Sequence, residues 1–282
     1  MKIENVGVIG SGQMGAGIAQ VCAAIGKKVI LCDIKKEFIE NGINTIYRNL
    51  SRSVIKKRIN QEDMDNTLSN IGTTLKNEKL NNCDLIIEAI IENVDIKKKL
   101  FSELGEMCKN KTILASNTSS IPIRILAEAS GRPEKVVGMH FMNPVPVMKL
   151  VEVIRAKTTN KDTFDTTFKL AEDLSKVPVL VNDFPGFVSN RILLPMLNEA
   201  MFCVMEGVAE PKAIDTVMKL GMSHPMGPLR LADFIGLDTC LAIMQVLHRD
   251  MKDDKYRPCP LLKEMVETGK LGNKTGEGFY KY

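Results

Sequence analysis

The chain has 282 residues, with 38 lysines and arginines against 34 aspartates and glutamates, a formal charge of +4; that balance is too even to mark a nucleic-acid-binding protein. Hydrophobic residues make up 44%, which argues against disorder, and no apolar run reaches the roughly 18 residues of a membrane span. Seven cysteines with irregular spacing and no Cys-x-x-Cys exclude a full disulfide pairing and a zinc pattern; with no signal-peptide pattern after Met1, a cytoplasmic protein is expected.

Residues 3–9 are a short apolar run that reads as a strand. Gly10-Ser11-Gly12-Gln13-Met14-Gly15 follows, then a helical stretch from Ala16 to Ile25, and Gly26 suits its end. Lys28 to Cys32 predicts a second strand, closed by Asp33. Residues 35–70 read as a long, polar helical excursion. Further strands are expected at 85–91, 112–115, 136–140, 150–154 and 177–181, with helices over 95–108 and 121–129 between them. Strands alternating with helices predict a mostly parallel α/β sheet. After Asp183 the character changes. Helix-period apolar positions run over 188–206, 211–220, 229–251 and 261–268, with Pro211 suited to a first turn and Gly221 to a stop. The expected organisation is therefore an α/β domain over 1–183 and an all-α domain over 184–282.

A lone G-x-G-x-x-G is a weak signal, but here a strand precedes it, a helix follows, and an acid ends the second strand 18 residues beyond Gly15. Gly10 allows the tight turn, Gly12 the approach of backbone to a pyrophosphate, and Gly15 close helix–strand packing. The helix start offers free N–H groups to phosphate oxygens. This predicts a Rossmann-type, dinucleotide-binding domain; a purely structural glycine turn is the other reading. Asp33 would accept hydrogen bonds from an adenosine ribose and repel a 2′-phosphate, which favours NAD over NADP, although Lys35 and Lys36 soften that preference.

Three polar features lie where open α/β sheets place their ligands, at strand carboxyl ends. His140 ends the strand that begins at Val136. Glu152 lies within the aliphatic strand 150–154, where a carboxylate is costly unless paired; His140 is its expected partner, and exposure on an edge strand is the alternative. Ser116-Asn117-Thr118-Ser119-Ser120 follows the strand at 112–115, and Ser120 could instead cap the helix beginning near Pro122. A Ser-His-Glu hydrolase would need a Gly-x-Ser-x-Gly elbow, absent around Ser119. With only three histidines no metal site is expected, and His224 and His248 receive no role. The run Arg48, Arg52, Lys56, Lys57, Arg58 has helical spacing; it reads as a solvated face or as a phosphate-attracting surface.

Together GSGQMGAGIAQ (10–20), EAIIENVDIKKKLF (88–101), ASNTSSIPI (115–123), GMHFMNPVPVMKLVEV (138–153), DFPGFVSNRIL (183–193) and GNKTGEGFYKY (272–282) resemble the L-3-hydroxyacyl-CoA dehydrogenase family over Val6 to Tyr282, in the short form of the bacterial 3-hydroxybutyryl-CoA dehydrogenases. The resemblance implies a Rossmann-type domain followed by a helical dimerisation domain, NAD as cofactor, an acyl-CoA substrate and a homodimer. It implies His140 and Glu152 as the catalytic pair, with Ser119 and Asn190 holding substrate and Asn143 near the nicotinamide and the substrate carbonyl. Glu92 and Lys97 match cofactor contacts on the adenosine side. Asn117 joins the cofactor set, and Lys274 adds a contact from the C-terminal segment. Lys56 matches a contact to the CoA phosphates that Arg52, one turn earlier, could share. Rival readings are a dehydrogenase of a free hydroxy acid or sugar acid on the same fold, and a non-catalytic NADH-sensing module.

Overall fold

Eight strands form one sheet in the computed structural model, which describes residues 1–282. The chain divides into two compact units, Met1–Asp183 and Phe184–Tyr282. The first unit carries β1 (Asn5–Ile9), α1 (Gln13–Ala24), β2 (Lys28–Cys32), α2 (Lys36–Ile55), α3 (Gln61–Ser69), β3 (Ile71–Thr74) and β4 (Leu85–Glu88). It continues with α4 (Val94–Met107), β5 (Ile113–Ser116), α5 (Ile123–Ala129), β6 (Val136–Phe141), β7 (Leu150–Arg155), α6 (Lys161–Asp173) and β8 (Val177–Asn182). The sheet order is β3-β2-β1-β4-β5-β6-β7-β8. β4, β5 and β6 are buried along their whole length, as expected of parallel strands covered on both faces.

From β1 the chain runs outward to β2 on one side and later to β4 on the other. That reversal opens a crevice at the strand carboxyl ends, beside the glycine turn. All pairings are parallel except β6–β7. The link between those two strands, residues 142–149, is too short for a crossover, so β7 returns antiparallel. The sequence expectation of a mostly parallel sheet followed by an all-helical region therefore matches the structure.

Two elements escape the sequence reading: the short edge strand β3, and α6, which carries the crossover from β7 to β8. β7 is also paired on both sides, so the edge-strand alternative for Glu152 fails; its carboxylate is 2% exposed.

The second unit holds α7 (Ser189–Met205), α8 (Pro211–Gly221), α9 (Pro228–Ile235), α10 (Leu237–Met251) and α11 (Pro260–Glu267) around a core that includes Leu197, Met201, Leu229, Cys240, Met244 and Leu262. The single helix expected over 229–251 is two. Gly236, at φ +101°, breaks it, and α9 and α10 meet at 97°. The C-terminal segment is tied to this core by two buried acids. Asp233 accepts from the N–H groups of Phe279 and Tyr280, and Asp215 from the Tyr280 hydroxyl at 2.7 Å. No single helix is long and apolar enough to cross a membrane.

Candidate active site

The glycine turn is built by close approach. Gly10 has φ +97°, and a Cβ on it would lie 2.5 Å from the Ala89 carbonyl oxygen; a Cβ on Gly15 would lie 1.8 Å from the Gly10 oxygen. A Cβ on Gly12 would meet nothing within 4 Å. Gly12 is the N-cap of α1, and no side chain caps that helix. The amides of its first turn thus face open space, which suits a phosphate. Met14 packs against the core, so only its backbone faces the turn. Asp33 Oδ2 accepts from the Ser11 N–H at 2.6 Å and hydroxyl at 2.7 Å, and Oδ1 from the Ile34 N–H. A carboxylate offers about four lone-pair directions, so ribose hydroxyls can still be accepted. A cavity of about 420 Å³ touches Gly10, Gly12, Asp33, Phe38 and Ile90. The turn, the uncapped helix and the acid fit the pyrophosphate and adenosine of a dinucleotide.

On β6 and β7 the antiparallel register sets His140 directly opposite Glu152. His140 Nδ1 lies 2.7 Å from Glu152 Oε2, and Nε2 lies 3.1 Å from the Ser119 hydroxyl. A carboxylate only accepts, so Nδ1 carries the proton and Nε2 of the neutral ring is left with a lone pair. Both side chains are buried, while Ser119 is half-buried. Asn117 fixes the strand end beside them: its Oδ1 accepts from the Phe141 N–H at 2.9 Å, and its own N–H donates to the Glu88 carbonyl. That leaves Asn117 a strut between the β5–α5 loop and β6.

A second buried ionic group shapes the serine loop. Lys97 on α4 is 1% exposed; its Nζ lies 3.0 Å from Glu88 and 2.7 Å from Glu92. Glu92 Oε1 accepts from the Thr118 hydroxyl (2.5 Å), the Ser119 N–H (2.9 Å), the Ser120 N–H (3.0 Å) and the Ser120 hydroxyl (3.0 Å). Burial raises the Glu88 pKa and outweighs the nearby Lys97 ammonium and the hydrogen bonds from Ser116 and Ile90. At Glu92 burial acts the same way, but Lys97 with the Thr118 and Ser120 hydroxyls prevails and the pKa falls.

This arrangement places two of the expected cofactor residues and corrects one capping expectation. Glu92 and Lys97 lie beside the serine loop, next to the carboxyl ends of β4 and β5. Lys97 also offers no free ammonium, because two carboxylates enclose it. Ser120 does not cap α5 either; its hydroxyl donates to Glu92. The α5 amides of Ile123 and Arg124 donate instead to Asp183, at 2.9 and 2.8 Å. Glu88, which seats Lys97, was not singled out from sequence. A carboxylate ending the apolar strand Leu85-Ile86-Ile87-Glu88 was the available signal.

Gln13 Nε2 donates to Asn143 Oδ1 at 2.9 Å, which joins the glycine turn to the β6–β7 loop. Arg52 and Lys56 line one cavity of about 250 Å³ with Arg58, Pro144, Pro146 and Val147. Part of the cationic run is thus gathered round a pocket, whereas Arg48 bonds back to Asn44 and Thr45 on its own helix. In the second unit Asn190 occupies the first turn of α7 and is 9% exposed. Lys274 there pairs with Asp238.

Residues 5–184 match the NAD-binding domain of 3-hydroxyacyl-CoA dehydrogenase, and residues 186–282 match its C-terminal domain. The chain belongs to the 3-hydroxyacyl-CoA dehydrogenase family. A probable 3-hydroxybutyryl-CoA dehydrogenase of Deinococcus radiodurans is 59% identical over 276 residues, 98% of this chain and 99% of that one. A 3-hydroxybutyryl-CoA dehydrogenase of Clostridioides difficile is 50% identical over 278 residues, 99% of each. The crystal structure of (S)-3-hydroxybutyryl-CoA dehydrogenase from Ralstonia eutropha superposes with a TM-score of 0.97 at 46% identity, covering 100% of this chain and 99% of that one. Membership makes NAD the cofactor of the first unit, in agreement with the glycine turn and Asp33.

Proposed function

We propose that this NAD-dependent dehydrogenase interconverts (S)-3-hydroxybutyryl-CoA and acetoacetyl-CoA, with His140 as general acid and base. The relatives' names supply the substrate. The observation that supports the mechanism is the chain Glu152–His140–Ser119, in which the carboxylate lies 2.7 Å from Nδ1 and the half-buried serine hydroxyl 3.1 Å from Nε2 of one buried imidazole. Gly10, Ser11, Gly12, Gln13, Met14, Gly15 and Asp33 would hold the dinucleotide. When bound there, NAD supplies the carbon that takes or returns the hydride.

The residues of the chain manage the proton and the substrate. In oxidation His140 Nε2 removes the proton of the C3 hydroxyl; in reduction it returns one to the C3 oxygen. Glu152 keeps the proton on Nδ1 and offsets the positive charge that forms when Nε2 is protonated. Ser119 orients the C3 oxygen toward that nitrogen. Asn143 and Asn190 are assigned to substrate oxygens by the family pattern, with Asn117 and Lys274 assigned to the cofactor. Glu92 and Lys97 are assigned to the cofactor by the same pattern, and they also hold the serine loop. Arg52 and Lys56 would receive the CoA phosphates, in a cavity where three cations, Arg58 included, favour an anion.

The α8 residues Val217 and Leu220, with Met222 after them, are 61%, 81% and 60% exposed. Such apolar exposure supports a homodimer through the helical unit, and the composition supports a cytoplasmic enzyme. The deciding assay compares acetoacetyl-CoA with free acetoacetate, each with NADH and NADPH. Turnover of the thioester with NADH alone is expected. Equal turnover of the free acid, or binding without turnover, would sink the assignment.

A further inference from the structure

Lys176 lies between α6 and β8 and is 9% exposed. Its ammonium reaches across to the β6–β7 loop and donates to the Val145 carbonyl at 2.5 Å and the Met148 carbonyl at 2.8 Å. No carboxylate is paired with it, and burial alone lowers its pKa. A buried cation held only by neutral acceptors is costly compared with an aliphatic side chain of the same length. What the ammonium adds is the shape of the loop it grips.

That loop has functional neighbours on both flanks. At its start Asn143 meets Gln13 of the glycine turn. In its middle Pro144, Pro146 and Val147 form one wall of the cavity that Arg52 and Lys56 line. The Val147 and Met148 amides both turn back onto the Pro144 carbonyl at 3.0 Å. Val145 is pressed into the core against α1, where a Cβ on Gly17 would lie 2.8 Å from the Val145 Cβ. The loop therefore stands on Gly17 from one side and hangs from Lys176 on the other.

We infer that Lys176 is a positioning residue for substrate binding: by knotting the Val145 and Met148 carbonyls it holds the β6–β7 loop as the wall of the Arg52–Lys56 cavity. The inference rests on the reading of that cavity as the seat of the CoA phosphates.

The test compares Lys176→Met, Lys176→Gln and Lys56→Ala with the wild type. It uses steady-state kinetics, NADH binding by fluorescence, and hydrogen exchange of the Val147 and Met148 amides. Lys176→Met should raise the KM for acetoacetyl-CoA on the order of tenfold, leave the Kd for NADH within about threefold, and speed exchange at both amides. Lys176→Gln keeps one donor and should fall between; it carries the comparison should the Met variant not fold. An unchanged KM with unchanged exchange in the Lys176 variants overturns the inference, even while Lys56→Ala still weakens substrate. If Lys56→Ala leaves the KM alone while Lys176→Met still frees the two amides, Lys176 holds the loop and the phosphate reading of the cavity is what fails.

Discussion

Two ionic groups stand at one edge of the same sheet, anchored on Glu88 of β4 and on His140 of β6, and they are built to different ends. Glu88, Lys97 and Glu92 form a closed group. The cation is enclosed by the two acids, and the oxygens of the acids accept from Ser116, Ile90, Thr118, Ser119 and Ser120. His140 and Glu152 form a group built round a titratable ring, whose Nε2 lies 3.1 Å from a half-buried hydroxyl. Ser119 joins them: its N–H belongs to Glu92 and its hydroxyl to His140. The contrast separates frame from chemistry. A network of hydrogen bonds that converge on fixed acids holds a loop, whereas an imidazole oriented by a carboxylate can take and return a proton.

The strongest way to break this comparison is His140→Gln. It should lower kcat by about 10²–10⁴ while the Kd for NADH is retained; unchanged turnover would refute the assignment of the ring. Lys97→Met tests the closed group through stability. Removing the cation leaves the buried Glu88 and the 37% exposed Glu92 uncompensated, so urea denaturation should show a loss of about 3 kcal/mol; a loss near zero would mean that the acids are not held as ions.

Glu152→Gln keeps a hydrogen bond to Nδ1 but removes the charge. Its kcat should fall on the order of 10², at the low end of acid/base effects, with little change in either KM. A pH profile sharpens the contrast within the closed group. Glu92, lowered from its ordinary 4.5, contributes stability that is complete above that value and lost as pH falls through the lowered one. Glu88, raised from the same value, costs stability when ionised, and that cost disappears on acidification. Glu92→Gln should therefore flatten the fall in Tm below about pH 4.5, and Glu88→Gln should remove a stabilisation that the wild type gains as pH falls toward 4.5 from above; profiles parallel to the wild type would contradict both directions. The smallest effect concerns the cavity of Arg52 and Lys56. Raising ionic strength should increase the KM for the CoA thioester by a few-fold and that for NADH by less. Equal sensitivity would return the cationic run to a solvated helix face.

Much of the frame was legible. Strand–glycine–helix patterning located β1, α1 and β2, and aliphatic runs located β4 to β8. β3 was missed because Ile71-Gly72-Thr73-Thr74 is short and half-exposed. α6 was missed because threonines are interleaved with Phe164, Phe168 and Ala171, which blurs its periodicity. The break at Gly236 was hidden because apolar spacing continues across it.

Local chemistry in the sequence determined that this chain would fold a dinucleotide turn, and that a carboxylate among aliphatics at Glu152 would need a partner. Only the tertiary structure decided which partners meet. The short β6–β7 loop forces an antiparallel return, and its register delivers Glu152 to His140. α4 turns Lys97 inward between two acids, and Asp183, sixty residues from Ile123 in sequence, takes the cap that Ser120 had seemed placed to supply. Pairings of this kind depend on strand register and helix rotation, which long-range packing sets and which no local pattern encodes.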